Sequence, residues 1–174
     1  MTMTRKCGDC TLCCRLVGVE ELHKRSGERC VHQRFNGCAI YASRPVSCQM
    51  WSCRWLVDED CAELRRPDRS HYVVDIMPDF ITCKQDGKSF DVPVVQIWCD
   101  PKHPNAHRDP ALRAYLHMLW KRDGIVALVR FDGQTGLSLL PLDNGTFIEK
   151  VSDQAPGPTH SFEQVMQVLN GDAS

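Results

Sequence analysis

Long apolar runs are missing from this chain. The longest, such as Ile125 to Val129, fall far short of the ~18 residues a bilayer span needs, so no membrane segment is expected. The opening stretch, MTMTRKCGDC, has charge but neither an apolar core nor a small-residue cleavage site behind it, which argues against a secretory signal. There is no Gly-rich phosphate loop, no nucleophile elbow and no HExxH zincin pair, and no acid and base carboxylates can be picked out. Repeats and low-complexity tracts are also lacking. With 43% hydrophobic and 25% charged residues, neither a disordered nor a fibrous chain is expected. The 174 residues suffice for one domain, or for one compact domain with a metal-dependent appendix.

Cysteine is what the chain has in plenty. There are 11, and nine of them fall between Cys7 and Cys61. Without a secretory signal a cytoplasmic, reducing compartment is expected, where dense cysteine means metal or redox chemistry more often than disulfides. The odd count also argues against a complete disulfide set. Through Arg54 there are nine Lys or Arg against four Asp or Glu, leaving twelve against eighteen for the remainder. A basic half can bind nucleic acid, but clustered thiolates carry negative charge that needs the same cations, and nucleic acid is not the expected partner.

The organisation changes near residue 62. Before it, Gly18, Gly27, Gly37 and Pro45 interrupt any periodicity, and only Val19 to Arg25 has room for a helical turn or two. Such a segment buries too little apolar surface to fold alone; bound metal and docking on the second part would supply the rest. Beyond it, His71 to Met77, Phe80 to Lys84 and Val92 to Trp98 are β-branched runs bounded by Pro, Asp and Gly, which predicts strands. Asp109-Pro110 reads as an N-cap followed by Pro at the first helical position. Leu112, Tyr115, Leu116, Leu119 and Trp120 follow at helical spacing, and Gly124 ends the element. Further strands are expected at Ile125 to Phe131, Leu137 to Leu140 and Thr146 to Val151, and a short helix at Ser161 to Leu169. The expected class is α+β: an irregular cysteine-rich metal-binding lobe, residues 1–62, packed on a body, residues 63–174, with a small mostly antiparallel sheet and one main helix.

Cys7, Cys10, Cys13 and Cys14 have the spacing C-x2-C-x2-C-C. Two-residue gaps let a tight turn point neighbouring sulfurs at one ion, the device of zinc and iron–sulfur sites. If the segment is helical, steps of ~100° per residue still keep the four thiols within a ~120° arc. The first three match the start of the ferredoxin run C-x2-C-x2-C-x3-C-P, but an adjacent cysteine replaces x3-C and no Pro follows. In an extended backbone Cys13 and Cys14 would diverge, so one ion would not hold both. Cys30, Cys38, Cys48 and Cys53 bring the thiols to eight, enough for two four-coordinate zincs or for one cluster with thiols to spare. Cys83 and Cys99 read as small buried hydrophobes, and Cys61 fits either role.

Other residues are candidates for support. His32 could stand in as a ligand, since imidazole suits zinc and iron. Arg44, in the Ser43-Arg44-Pro45 turn, could donate to sulfur or to carbonyls around a metal. Trp51 and Trp55, four apart, suggest a helical turn shielding the centre. His103 and His107 could clasp a metal only from a helix, which Pro104 opposes, so a loop is expected. Arg65, Arg66 and Arg69 form a basic patch expected to be solvated, or paired with Asp58, Glu59, Asp60 or Glu63, rather than to bind phosphate.

CGDCTLCC, then CVHQRFNGCAIYASRPVSCQMWSCRWL from Cys30 to Leu56, then RPDRS at Arg66 to Ser70, resembles the YkgJ-type cysteine-cluster family of CxxCxxCC zinc- or iron-chelating proteins. The likeness is close over roughly residues 7 to 75 and loose beyond. It implies metal chelation by Cys7, Cys10, Cys13, Cys14, Cys30, Cys38, Cys48 and Cys53, with zinc or iron as the metal and a 4Fe-4S cluster among the forms iron could take. Flagellin lysine-N-methylases are similar in this cluster, which implies iron–sulfur-dependent methyl transfer or redox chemistry as an alternative. This chain is much shorter than they are and has no nucleotide-binding glycine motif. A metallochaperone or a structural module with an unidentified protein partner is the third class, so whether the protein is an enzyme stays open.

Overall fold

The fold is described from a computed structural model over residues 5–132 and 136–152. The helix expected at Ser161 to Leu169 lies outside the described residues.

Glycine and proline cut the cysteine-rich segment into short pieces. These are α1 (Cys13–Leu16), a hairpin of β1 (Gln33–Arg34) and β2 (Gly37–Cys38), α2 (Val46–Met50), α3 (Arg54–Val57) and α4 (Pro67–Ser70), with single 3-10 turns between them. The turn expected within Val19 to Arg25 is one of these, Glu20–Leu22. Pro45 precedes α2, and Pro67 opens α4 at a position where the missing N–H costs nothing. Trp51 and Trp55 do not share a helical turn. Trp51 and Cys53 are extended, which breaks the helix between α2 and α3.

The body carries β3 (Tyr72–Val74), β4 (Asp79–Gln85), β5 (Lys88–Cys99), α5 (Pro110–Asp123), β6 (Val126–Arg130), β7 (Gly136–Pro141) and β8 (Phe147–Ser152). The six strands form one sheet in the order β3-β5-β6-β7-β8, with β4 also paired to β5. All pairings are antiparallel except β5 with β6. That pair is parallel because α5 is the crossover between its strands. The α+β class and the mostly antiparallel sheet are as expected.

Asp109 caps α5, accepting from the Ala111 N–H, and Gly124 ends it at φ 68°, a left-handed conformation that glycine adopts without steric cost. Leu112, Leu116 and Leu119, on one stripe of α5, pack with Val95, Ile97, Val129 and Leu139 of the sheet. Each such fully buried side chain contributes about 1.5–3 kcal/mol. Cys61 and Cys99 belong to this core, while Cys83 is half-buried on β4.

Two features join the cysteine-rich segment to the sheet. Leu12, Leu16 and Cys53 form a second apolar cluster with Val73 and Trp98, against which Cys10, Cys13, Trp51 and Trp55 pack. Cys53 also makes an antiparallel bridge to Asp75 just beyond β3. There the ladder is interrupted: Asp75 N–H still donates to Gln96 O, but Ile76, Met77 and Pro78 oppose the single residue Val95 before Asp79 pairs with Val94. Strand alternation puts Asp75 on the same face as Val73, toward the cysteine-rich segment, and the bulge follows directly after it.

Candidate metal centre and the cleft beside it

The CGDC segment is a tight turn closed by Cys10 N–H to Cys7 O at 3.1 Å, with Gly8 at φ 59°. A side chain at Gly8 would be strained and would meet Arg66 Nη1 at 3.1 Å. Arg66 braces the turn, pairing with Asp9 at 2.8 Å and with Asp68 at 2.6 Å. The backbone N–H groups of Leu12 and Asp68 face the Cys10 sulfur. Hydrogen bonds of this kind stabilise a thiolate and tune a metal centre built on it. The helix starts only at Cys13, so the quartet is half turn and half helix rather than either alone.

All 11 cysteines are free thiols. Their mutual fields link seven of the eight expected ligands into one chain of neighbours: Cys7, Cys13 and Cys14 act on one another, Cys10 and Cys7 join Cys13 to Cys53, and Cys14 reaches Cys48, which also feels Cys30. Cys30 N–H donates to Cys14 O at 2.9 Å. Cys13 and Cys14 are hydrogen-bonded through their side chains. That bond lowers the Cys14 thiol to about 7 against the cost of burial, with help from the Lys24 ammonium. The same bond, burial and the surrounding thiolates push Cys13 well up. Burial raises Cys7, Cys10 and Cys48, and takes Cys53 to about 12. Cys38 lies on β2. The carbonyl of His32 closes the β1–β2 hairpin by accepting the Ala39 N–H.

The donor set fits a soft metal in kind. Arg44 lies 4.0 Å over the Tyr41 ring and lowers Cys7, and its buried Nε has no hydrogen-bond partner among the described residues. A sulfur ligand carrying negative charge is the partner such an N–H lacks. The sulfurs themselves stand open: among the described residues no three approach within 4.8 Å of one another. Tetrahedral zinc with thiolates about 2.3 Å away needs sulfurs about 3.8 Å apart. Binding would therefore draw the loops inward.

No protein-family profile, curated protein or solved structure matches this chain. The likeness to the cysteine-cluster family therefore stands on the motifs quoted above.

Beside the thiols, a cleft of about 980 Å³ opens between the cysteine-rich segment and the sheet. Lys24 lines it, buried, with its ammonium donating to Val17 O and to Arg25 O. Across from it Trp51 Nε1 and Trp98 Nε1 both donate to Asp75, each at 2.8 Å, so one carboxylate fixes two indoles. Asp75 is 4% exposed, and burial raises its pKa despite those donors. Gln96 completes the floor, donating to Asp79 and accepting from Arg130 Nε at 2.7 Å.

The sequence showed none of these partnerships, since Trp51, Asp75 and Trp98 are too far apart for any local pattern. The basic patch is paired, as expected, but to other acids: Arg66 to Asp9 and Asp68, Arg65 to Asp109, and Arg69 to Asp68. No helix among the described residues is long and apolar enough to cross a membrane.

Proposed function

We propose that this is a cytoplasmic metal-binding protein that holds zinc or iron through its cysteine cluster, with the metal ion as its primary partner. One observation supports this reading: the eight cysteines are all free thiols, and seven of them lie close enough to act on one another in one linked network. Burial makes proton loss costly for most of them, and a bound cation would reverse that by taking the protons' place. Within that network Cys7, Cys10, Cys13 and Cys53 would offer four thiolates to one ion or to one 4Fe-4S cluster. Cys14, Cys30 and Cys48, with Cys38 or His32 as the fourth ligand, would serve a second ion.

The cleft favours a second reading within the same scheme, in which an iron–sulfur centre acts on a substrate. Lys24 and Trp51 border both the thiols and the cleft, so a molecule bound there would lie next to the metal. A closed zinc site would leave the cleft without a chemical role and make the protein a structural or metal-delivery module.

Substitution separates the two groups. Cys53→Ser should remove one metal equivalent and Cys48→Ser another, read by elemental analysis of protein desalted under nitrogen, with Cys83→Ser as the unchanged control. Equal metal content in all three variants and the native protein would refute the assignment.

A further inference from the structure

We infer that His71, Asp100 and His103 form a further, thiol-free site for a divalent first-row transition ion, distinct in its ligands from the cysteine cluster. One ligand atom from each of these residues lies within 4.8 Å of the other two. Among the described residues no other trio of His, Cys, Asp or Glu does so.

Backbone bonds set this geometry. The β3–β5 ladder runs on by one step, Asp100 N–H donating to His71 O at 2.9 Å, and a turn returns His103 N–H to Asp100 O at 2.7 Å. The two imidazoles then stack with centroids 3.6 Å apart and planes within 4°. Parallel rings can direct a nitrogen each to the same side. His71 sits at φ 62°, ψ 23°, where it ends α4. Glycine is the usual residue in that conformation, and histidine held there is the sort of outlier that functional sites retain.

Asp100 has capacity left. It is 3% exposed, accepting from Lys102 N–H at 3.1 Å on one oxygen and from Arg15 on the other. Two of about four lone-pair positions are used, and those two donors hold the carboxylate in place for a third partner. The group borders an open cavity of about 480 Å³, which leaves room for water or a small anion on the metal.

The surroundings select the ion. Arg65 and Arg108 line the cavity and Arg15 touches Asp100, so a hard cation that relies on negative charge would be poorly held. Two imidazoles and one carboxylate suit zinc, nickel or cobalt, whereas calcium and magnesium need more oxygen ligands. His103 and His107, four apart, were expected on a loop and not as a metal-binding pair. His107 is buried against Phe131 and Glu149, and the partner of His103 comes from 32 positions upstream.

Equilibrium dialysis of the purified full chain against micromolar zinc, with resident metal retained, tests the site. The native protein should take up one zinc more than His103→Ala, a change on an exposed turn that leaves the core intact. Remaining affinity in the variant should fall by at least the ~10–100-fold that loss of an outer-shell partner costs. His71→Asn, which tolerates the left-handed backbone, should behave alike. With cobalt in place of zinc, ring signals of two of the seven histidines should shift in proton NMR, without a thiolate charge-transfer band. Equal uptake by native and His103→Ala protein, uptake only at millimolar zinc, or cobalt shifts that spare His71 and His103 would overturn the assignment. The difference in uptake between native and His103→Ala protein does not depend on whether the cysteines bind metal.

Discussion

Asp75 is the residue on which the join between cysteine segment and sheet turns. Its carboxylate accepts from two indoles and from Met77 N–H while almost wholly buried. Asp75→Ala leaves both indole donors unsatisfied, which should cost roughly 2–4 kcal/mol and lower the urea midpoint accordingly. Because burial raises its folded pKa, Asp75 contributes stability fully present below the unfolded value and lost as pH rises through the folded one. Glu149 has the opposite sign. Arg108 and Arg113 lower it from 4.5 to about 2, so its contribution is present above 4.5 and lost as pH falls toward 2. Denaturation midpoints measured across that interval should fall less steeply in Glu149→Gln than in the native protein. The effect is modest because these groups lie at the surface, where solvent screens them.

At the level of elements, legibility in the sequence followed the range of the forces. α5 could be read because its cap, its apolar stripe and its terminator are all local: Asp109, Leu112 through Leu119, and Gly124. Gly124→Ala should cost about 1 kcal/mol, measurable as a lower thermal midpoint, because alanine is strained at φ 68°. Strands β3 to β8 were legible for a similar reason, since β-branched runs between turn residues need no distant partner to be recognised. The parallel β5–β6 pair and the bulge after Asp75 were not, because register and crossover are settled by packing between strands. Cys7, Cys10, Cys13 and Cys14 stood out by spacing, and Cys30, Cys38, Cys48 and Cys53 joined them through cysteine density and the quoted likeness. The brace of Arg66 on Asp9, the indole pair on Asp75 and the grouping of His71 with Asp100 and His103 depend on tertiary approach and left no local mark. Adjacent Cys13 and Cys14 looked awkward for one ion in an extended backbone, whereas in the fold they lie in a helical turn with their side chains hydrogen-bonded.

For the whole molecule, the sheet with α5 is the part that carries its own core, while the cysteine segment has only the smaller cluster around Leu12, Leu16 and Val73. Metal removal should therefore act unevenly. Hydrogen exchange should accelerate over residues 7–57 on chelation, while amides of β5, β6 and α5 keep their protection. The most direct measurement is the metal content and visible spectrum of the full chain purified without oxygen and desalted. Zinc or iron should be retained at one or more equivalents per chain, colourless for zinc or brown and bleaching on reduction for an iron–sulfur cluster. A folded chain carrying less than about a tenth of an equivalent, with all its surface thiols reacting freely, would contradict metal binding as its function.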